Sequence, residues 1–281
     1  MKTRPPTSYN IASHIFRVLL NEIEFHKRSE RYLTKEETKA LCRYYSNWIR
    51  RSEYCEHYFA QRIKKVVEIL INSNTQLSVL DCGCGFGSES IAFGLLGAKV
   101  VGVDASTERV NVALKRLRYY REYYKKVDVS FENMNILDYA CDELFDVAYA
   151  KEFITHVCPL SKFLEVVVKA LKDGGYFILG DASPFNPIVY YNAWKTHKAS
   201  LYTTVIDPKT GKNIPYAVER LIPSSYLKSL LQAYNFEILS EKFFGVPYVA
   251  SSLIPVIGLI EDKFNLPFLA LYEIVARKKH I

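Results

Sequence analysis

Short apolar runs alternate with amphipathic segments along most of the chain after residue 78. Seven of these runs are long enough for strands, and we predict that they end at Asp81, Asp104, Glu132, Ala150, Leu179, Leu239 and Val275. Between them, apolar residues three and four positions apart predict helices, for example over 106–120, 160–171 and 224–234. This alternation predicts an α/β fold in which helices cover a largely parallel sheet.

The first 76 residues are predicted to form helices. Apolar residues recur at helical spacing from Ile11 to Ile23, and Thr34 with Glu37 predicts a capping box. The segment holds fourteen Lys and Arg residues against eight Glu, which supplies +6 of the chain's net charge of +7. Such a basic face could meet nucleic acid, an anionic membrane surface or an acidic substrate, but we favour a plain solvated face.

Glycine occupies every second position from Gly83 to Gly87, directly after the first predicted strand. Glycine lets the backbone turn tightly and approach a ligand closely. The next strand ends at Asp104, and a glycine loop followed by such an acid predicts a nucleoside site in which the acid holds the ribose hydroxyls. A dinucleotide loop would need glycine where this chain has Ser88. Asp81, just before the loop, suits a cationic group better than a pyrophosphate.

The D-x-G-x-G-x-G spelling of residues 81–87 resembles motif I of the class I S-adenosylmethionine-dependent methyltransferases. Residues 145–157 are similar to the family's "FDVV…E-x-x-x-H-V" signature, and residues 171–175 resemble its "LKPGG" turn, with Asp173 in place of proline. The resemblance covers roughly residues 55–280. These spellings are most similar to methyltransferases of the ubiquinone and menaquinone biosynthesis kind.

The resemblance implies a Rossmann-like, seven-stranded sheet with helices on both faces and an antiparallel last strand. We therefore predict a helical extension over 1–54 and a class I domain over 55–281, with an aromatic insertion at about 183–223. The implied activity is methyl transfer from S-adenosylmethionine to a small, hydrophobic or aromatic acceptor.

Site residues follow from the same matches. The expected cofactor contacts are Asp81, Gly83, Cys84, Gly85, Asp104, Ala105, Asn135, Ile136 and Lys151. Of these, Asn135 and Ile136 stand where the family contacts the adenine. His156 is our candidate for the catalytic base, because imidazole titrates near neutral pH, although it could merely bind the backbone at a helix start. Glu152 is a second catalytic candidate, either orienting the methionine end of the cofactor or capping a turn.

The acceptor is expected beyond the carboxyl ends of the strands, where the insertion emerges. Tyr190, Tyr191 and Trp194 of that insertion are the predicted acceptor contacts. Residues 243–260 carry no charge but are too short to span a bilayer, so we expect no integral membrane segment. This stretch is either an apolar flap over the substrate or, as we favour, a buried crossover. Peripheral membrane contact and a homo-oligomer both stay open.

Two other functions belong beside the small-molecule enzyme. A nucleic-acid methyltransferase would use the basic N-terminal helices. Methyltransferases that act on the exocyclic amines of DNA carry an (Asp/Asn)-Pro-Pro-aromatic motif after the fourth strand, and residues 151–154 of this chain do not match it. A non-catalytic S-adenosylmethionine-binding protein would reuse the fold without turnover. No acids have metal-ligand spacing, so we predict no metal. Six scattered cysteines and a polar N-terminus without a cleavable signal predict a reducing, cytoplasmic location.

Overall fold

A computed structural model of the chain describes residues 7–124, 126–140, 143–197, 202–206, 211–217, 221–246 and 251–280. Its helices are α1 (Ser8–Arg28), α2 (Lys35–Tyr44), α3 (Ser46–Arg50), α4 (Ser52–Ile71), α5 (Ser88–Leu95), α6 (Thr107–Tyr123), α7 (Leu160–Ala170), α8 (Pro187–His197), α9 (Ser224–Ala233) and α10 (Ile254–Lys263). Its strands are β1 (Ser78–Cys82), β2 (Lys99–Asp104), β3 (Val129–Asn133), β4 (Phe145–Lys151), β5 (Leu171–Ala182), β6 (Tyr202–Ile206), β7 (Asn213–Ala217), β8 (Phe236–Phe244) and β9 (Leu271–Lys278).

Seven strands form one twisted sheet in the order β3-β2-β1-β4-β5-β9-β8. The strands from β3 to β5 pair in parallel, and β9 is antiparallel to both β5 and β8. The strand order reverses between β1 and β4, which is where open α/β sheets bind ligands. The predicted Rossmann-like sheet with an antiparallel last strand is therefore confirmed.

Alternate residues of the central strands face two separate cores. Val79 packs with α1, α4, α5 and α6 on one face of the sheet, while Leu80 packs with α7 and α9 on the other. Because helices cover both faces of the sheet, β1 carries apolar side chains on both of its sides, as is usual for parallel strands. Helices α1 and α4 thus pack in the first of these cores, and residue 54, where we predict the domain boundary, lies inside α4.

The capping box at the start of α2 is confirmed. The Thr34 hydroxyl accepts a hydrogen bond from the Glu37 amide at 3.3 Å, and the Glu37 carboxylate accepts one from the Thr34 amide at 2.8 Å. Both otherwise unpaired amides at the helix start are therefore satisfied by side chains.

Three other predictions are corrected by the structure. Residues 171–175, expected as a turn, already belong to β5, and the last strand begins at Leu271 and runs to Lys278 rather than ending at Val275. The described part of the 243–260 stretch is not a buried crossover. It contains most of α10, in which Val256 and Leu259 are more than half exposed and Glu261 is the one buried residue.

One buried ion pair fastens α1 to the glycine loop. Arg116 of α6 and Glu22 of α1 are both fully buried, with nitrogen–oxygen distances of 2.7 and 2.9 Å. Arg116 also donates to the Phe86 carbonyl at 2.7 Å and to the Ser88 hydroxyl at 3.0 Å. The guanidinium therefore fixes the end of the loop and the start of α5 together.

Candidate active site

A cavity of about 780 Å³ lies at the carboxyl ends of β1, β2 and β4. That volume is within the range of about 300–1,000 Å³ that is usual for cofactor and small-molecule sites. Its wall consists of Tyr44, Tyr45, Arg62, Gly83, Cys84, Gly85, Glu89, Asp104, Ala105, Ser106, Thr107, Glu108, Arg109, Lys151, Glu152, Phe153, His156 and Ile206. Eight of the eleven residues predicted for the cofactor or for catalysis therefore surround one space.

The glycine loop forms the floor of this cavity. Gly83 and Gly85 have φ angles of +75° and +54°, which side-chain-bearing residues rarely adopt. A Cβ atom on Gly83 would overlap the ring of Phe153, whereas a Cβ atom on Gly85 would meet nothing within 4 Å. Gly83 is therefore needed for packing, and Gly85 leaves open space for a ligand.

Asp104 stands opposite the loop at the end of β2. One of its carboxylate oxygens accepts a hydrogen bond from the Gly85 amide at 2.9 Å, and the other accepts one from the Ser106 amide at 2.8 Å. Each oxygen keeps a further acceptor position. The carboxylate is thus fixed in orientation and can still accept two hydroxyl groups of a ligand.

Asp81, Asn135 and Ile136 are not among the residues that line the cavity. Asp81 is buried and accepts a hydrogen bond from Ser90 at 2.5 Å, and burial raises its pKa to about 7. The Asn135 side chain accepts a hydrogen bond from the Leu137 amide at 3.1 Å. The contacts of these three residues with the cofactor stay predictions.

The end of β4 brings three predicted residues into the cavity. Lys151 is buried and paired with Glu273 at 2.7 Å; burial, opposed by that pairing, lowers the pKa of the Lys151 ammonium. Glu152 has a φ angle of +50°, a strained backbone conformation that is frequent at functional sites. His156 follows on a short 3₁₀ turn, Ile154–His156.

The Glu152 carboxylate is held by two side chains of α4. The Tyr58 hydroxyl donates to it at 2.8 Å, and the Arg62 guanidinium contacts its other oxygen. Arg62 also pairs with Glu89 at 3.0 Å, and Glu89 lies on α5 just beyond the glycine loop. This network joins the N-terminal helices to the loop.

A second cavity of about 300 Å³ adjoins the first, and both share Tyr44, Tyr45, Arg62, Glu89 and Glu152. Its remaining wall comes from α3, α4 and the residues beside them: Asn47, Trp48, Arg51, Tyr54, Cys55 and Tyr58. Our sequence reasoning missed this aromatic chamber. The signal was present, since Tyr54, Tyr58 and Arg62 are spaced four residues apart and so share one face of α4.

The predicted acceptor contacts lie elsewhere. Tyr190, Tyr191 and Trp194 are on α8 with 60%, 55% and 61% of their surfaces exposed, and none of them lines either cavity. Their contact with an acceptor stays a prediction.

Within the described residues, no three His, Cys, Asp or Glu side chains are grouped closely enough to hold a metal ion. No helix in those same ranges has the length and apolar character needed to cross a membrane.

Comparison with known proteins gives a family match. The model of a family described as "Methyltransferase domain" matches residues 73–221, which is more than half of the 281-residue chain. The matched part includes the glycine loop, Asp104, and the end of β4. Those elements supply most of the wall of the larger cavity, whereas its Tyr44, Tyr45 and Arg62 lie outside the matched residues.

Curated relatives match over shorter segments. The mitochondrial ubiquinone biosynthesis O-methyltransferase of Homo sapiens is 30% identical over 99 residues, covering 35% of this chain and 27% of the relative. The ubiquinone biosynthesis O-methyltransferase of Nitrobacter winogradskyi is 32% identical over 105 residues, covering 37% and 38%. A sterol methyltransferase-like protein of Botryococcus braunii is 33% identical over 115 residues, covering 40% and 28%. The matched segments thus span well under half of each of these relatives.

Solved structures share the architecture. An S-adenosylmethionine-dependent methyltransferase of Clostridium acetobutylicum superimposes with a TM-score of 0.56 at 15% identity, covering 86% of this chain and 99% of that one. Another from Methanosarcina mazei gives a TM-score of 0.53 at 20% identity, covering 76% and 98%. At this level of identity the likeness shows the fold alone.

Proposed function

Because the chain belongs to the methyltransferase domain family of class I S-adenosylmethionine-dependent enzymes, we propose that it methylates a small, hydrophobic or aromatic acceptor. One observation carries the proposal. The cavity over the glycine loop and Asp104 shares a wall with a smaller aromatic chamber, and Glu152 stands in that wall. Donor and acceptor can therefore meet without either leaving its own pocket.

The larger cavity fits the donor. Asp104 offers two acceptor positions for ribose hydroxyls, and charge-assisted bonds of this kind are about twice as strong as neutral ones. Gly85 leaves space where a side chain would intrude. When bound, S-adenosylmethionine supplies a methyl carbon that its sulfonium has already activated. The protein then has mainly to align two reactants and to accept a proton.

The smaller chamber fits a compact planar acceptor. Tyr44, Trp48, Tyr54 and Tyr58 supply flat apolar surfaces, and the volume of about 300 Å³ suits a single ring system rather than a polymer strand. We assign the proton-accepting role to a carboxylate oxygen of Glu152, since this residue lines both cavities while His156 lines only the larger one. Tyr58 orients that carboxylate by donating to it.

Oxygen is the acceptor atom that we propose. A hydroxyl group loses its proton to Glu152 as its oxygen gains the methyl group, so one base completes the reaction. Two of the similar proteins are named as O-methyltransferases of ubiquinone biosynthesis, which supports a ring-hydroxylated, quinone-like acceptor.

The five described cysteines are all free, which supports the proposal of a reducing, cytosolic location.

A labelled-methyl assay tests the proposal. The protein is incubated with S-adenosylmethionine carrying a radioactive methyl group and with a panel of catechols and hydroquinones, and extractable product is counted. Glu152→Gln should lower kcat by about 10²–10⁴-fold and change donor affinity far less, because the amide keeps the size of the side chain in the wall of the donor cavity. Glu165→Gln, an exposed carboxylate on α7, is the matched control. Donor binding without transfer to any member of the panel, or full activity of Glu152→Gln, would contradict the proposal.

A further inference from the structure

Exposed apolar side chains are concentrated on two segments of the described chain. Of the 20 large apolar or aromatic residues that are exposed, 11 lie on α8, on α10 or just beside them. We call them the apolar face: Phe185, Ile188, Tyr190, Tyr191, Trp194, Leu253, Val256, Leu259, Ile260, Phe264 and Phe268. A concentration of this kind exceeds the scattered apolar residues of an ordinary surface and indicates an interaction site.

The two segments meet. The Asn186 side chain at the start of α8 donates to the Phe268 carbonyl at 2.7 Å, and Ser183 donates to the Pro267 carbonyl at the same distance. The residues that follow α10 are therefore fixed against the residues that begin α8. Phe268 and Phe185 stand at this junction and connect the two halves of the face.

Helix α10 buries a carboxylate and leaves several apolar side chains exposed beside the exposed Asp262 and Lys263. Its one buried residue is Glu261, which pairs with His57 at 2.9 Å and accepts from the Gly245 amide at 2.7 Å. Val256 and Leu259 meanwhile point outward at 53% and 60% exposure. A helix of a globular protein normally buries the opposite side. The polar contacts thus hold α10 with its apolar side available to a partner.

The chemistry around this face favours a lipid surface. Residues 251–260 carry no charge, and Trp194 and the two tyrosines of α8 are of the residue types enriched at membrane–water boundaries. The exposed Asp262 of α10 is paired with Lys242 at 3.0 Å and with Lys64 at 3.9 Å, and Lys195 and Lys263 lie on α8 and α10. Anionic headgroups would complement these lysines. A second copy docked through the same face would bring its own Lys195 and Lys263 to that surface instead. We propose that the apolar face docks on an anionic phospholipid bilayer, with α10 lying in the interface.

Docking of this kind would place the aromatic chamber near the bilayer. Glu261 anchors α10 to His57, and the next residue on α4, Tyr58, holds Glu152 in the wall between the two cavities. A lipophilic compound dissolved in the bilayer would therefore have a short route to the chamber. The docking itself does not depend on methyl transfer, so the two proposals can fail separately.

Co-sedimentation with vesicles tests the docking. The full chain is mixed with phosphatidylcholine vesicles that contain phosphatidylserine, and with vesicles of phosphatidylcholine alone. We expect binding to the anionic vesicles that weakens as salt rises. Val256→Ser with Leu259→Ser should lower the affinity by about tenfold for each side chain kept out of the lipid. The control, Leu114→Ser with Leu239→Ser, changes exposed leucines outside the face and should bind like the wild type.

The fluorescence of Trp194 gives a second measurement, which uses the wild-type protein. It is exposed, whereas the chain's other tryptophan, Trp48, packs against Phe16 and Phe59. Vesicles with brominated acyl chains should quench the fluorescence of the wild type, and Trp194→Phe should remove that quenching. No sedimentation with anionic vesicles, or equal binding by the Val256 and Leu259 double variant, would overturn the proposal. So would a wild-type dimer that the double variant converts to a monomer, without vesicle binding.

Discussion

Replacing Arg116 with methionine tests whether the buried ion pair secures the glycine loop. Methionine keeps most of the side-chain length but removes the charge. The change leaves the Glu22 carboxylate without its guanidinium partner, and it removes the donor to the Phe86 carbonyl. Burial raises the pKa of Glu22, but Arg116 and His26 outweigh this effect and hold the pKa below its usual value. Glu22 is therefore charged in the folded wild type. In the variant this buried carboxyl keeps only His26, at 2.8 Å, as a basic partner and must either stay poorly compensated or take up a proton, and both outcomes cost stability.

The expected loss is large for one substitution. Removing one partner of a fully buried ion pair costs about 3–5 kcal/mol, because a charge is left without compensation. The Arg31–Glu122 pair offers a matched control, since its side chains are 57% and 41% exposed at a similar separation of 2.8 Å. An exposed pair of this kind contributes at most about 1 kcal/mol. Arg31→Met should therefore be nearly neutral.

Urea unfolding followed by circular dichroism measures both changes. We expect Arg116→Met to lower the free energy of unfolding by several kcal/mol, and Arg116→Met with Glu22→Leu to be more stable than Arg116→Met alone. The second result follows because an apolar pair leaves no buried charge. If Arg116→Met cost no more than Arg31→Met, the structural role that we assign to this pair would be refuted.

Two further substitutions probe the loop and a buried acid. Gly83→Ala should cost at least about 1 kcal/mol more than Gly97→Ala in urea unfolding, since both glycines have positive φ but only the first would overlap a ring, that of Phe153. Asp181 is buried, and burial raises its pKa to about 6 from a usual value of 3.8. The protonated Asp181 therefore contributes fully to stability below about pH 4, and this contribution is lost as the pH rises through about 6, by up to about 3 kcal/mol. Asp181→Asn should flatten the dependence of the free energy of unfolding on pH over that range.

Each of these expectations has a clear opposite. Equal costs for Gly83→Ala and Gly97→Ala would mean that Phe153 moves aside freely and that the loop tolerates a side chain. A stability profile whose slope between pH 4 and 6 is the same in Asp181→Asn and the wild type would mean that Asp181 does not titrate there.

The sequence predicted the sheet and the donor side of the site because both depend on local pattern. Strand ends are marked by acids such as Asp104, and positive φ angles are marked by glycines such as Gly85. In a parallel sheet the carboxyl ends of neighbouring strands meet at one edge, so the order of the motifs already brings these residues together. The place of the acceptor chamber depends instead on how α2 to α4 pack over that edge.

Long-range packing also explains what sequence reasoning got wrong. An uncharged stretch such as 251–260 favours burial on composition alone, yet α10 exposes Val256 and Leu259 because Glu261 reaches inward to His57. These two partners are 204 residues apart in the chain, so no window of sequence reports their contact. The same holds for Tyr58 and Glu152, which meet across 94 residues.

Calorimetric titration of S-adenosylmethionine into the wild type and into Asp104→Ala tests the central claim most directly. Asp138→Asn, an exposed acid paired with Lys162, serves as the control. Two charge-assisted hydrogen bonds to ribose are each worth about 1.5–3 kcal/mol, so Asp104→Ala should weaken binding at least about a hundredfold while the control binds normally. Equal affinity in Asp104→Ala and the wild type would contradict the placement of the donor over the glycine loop.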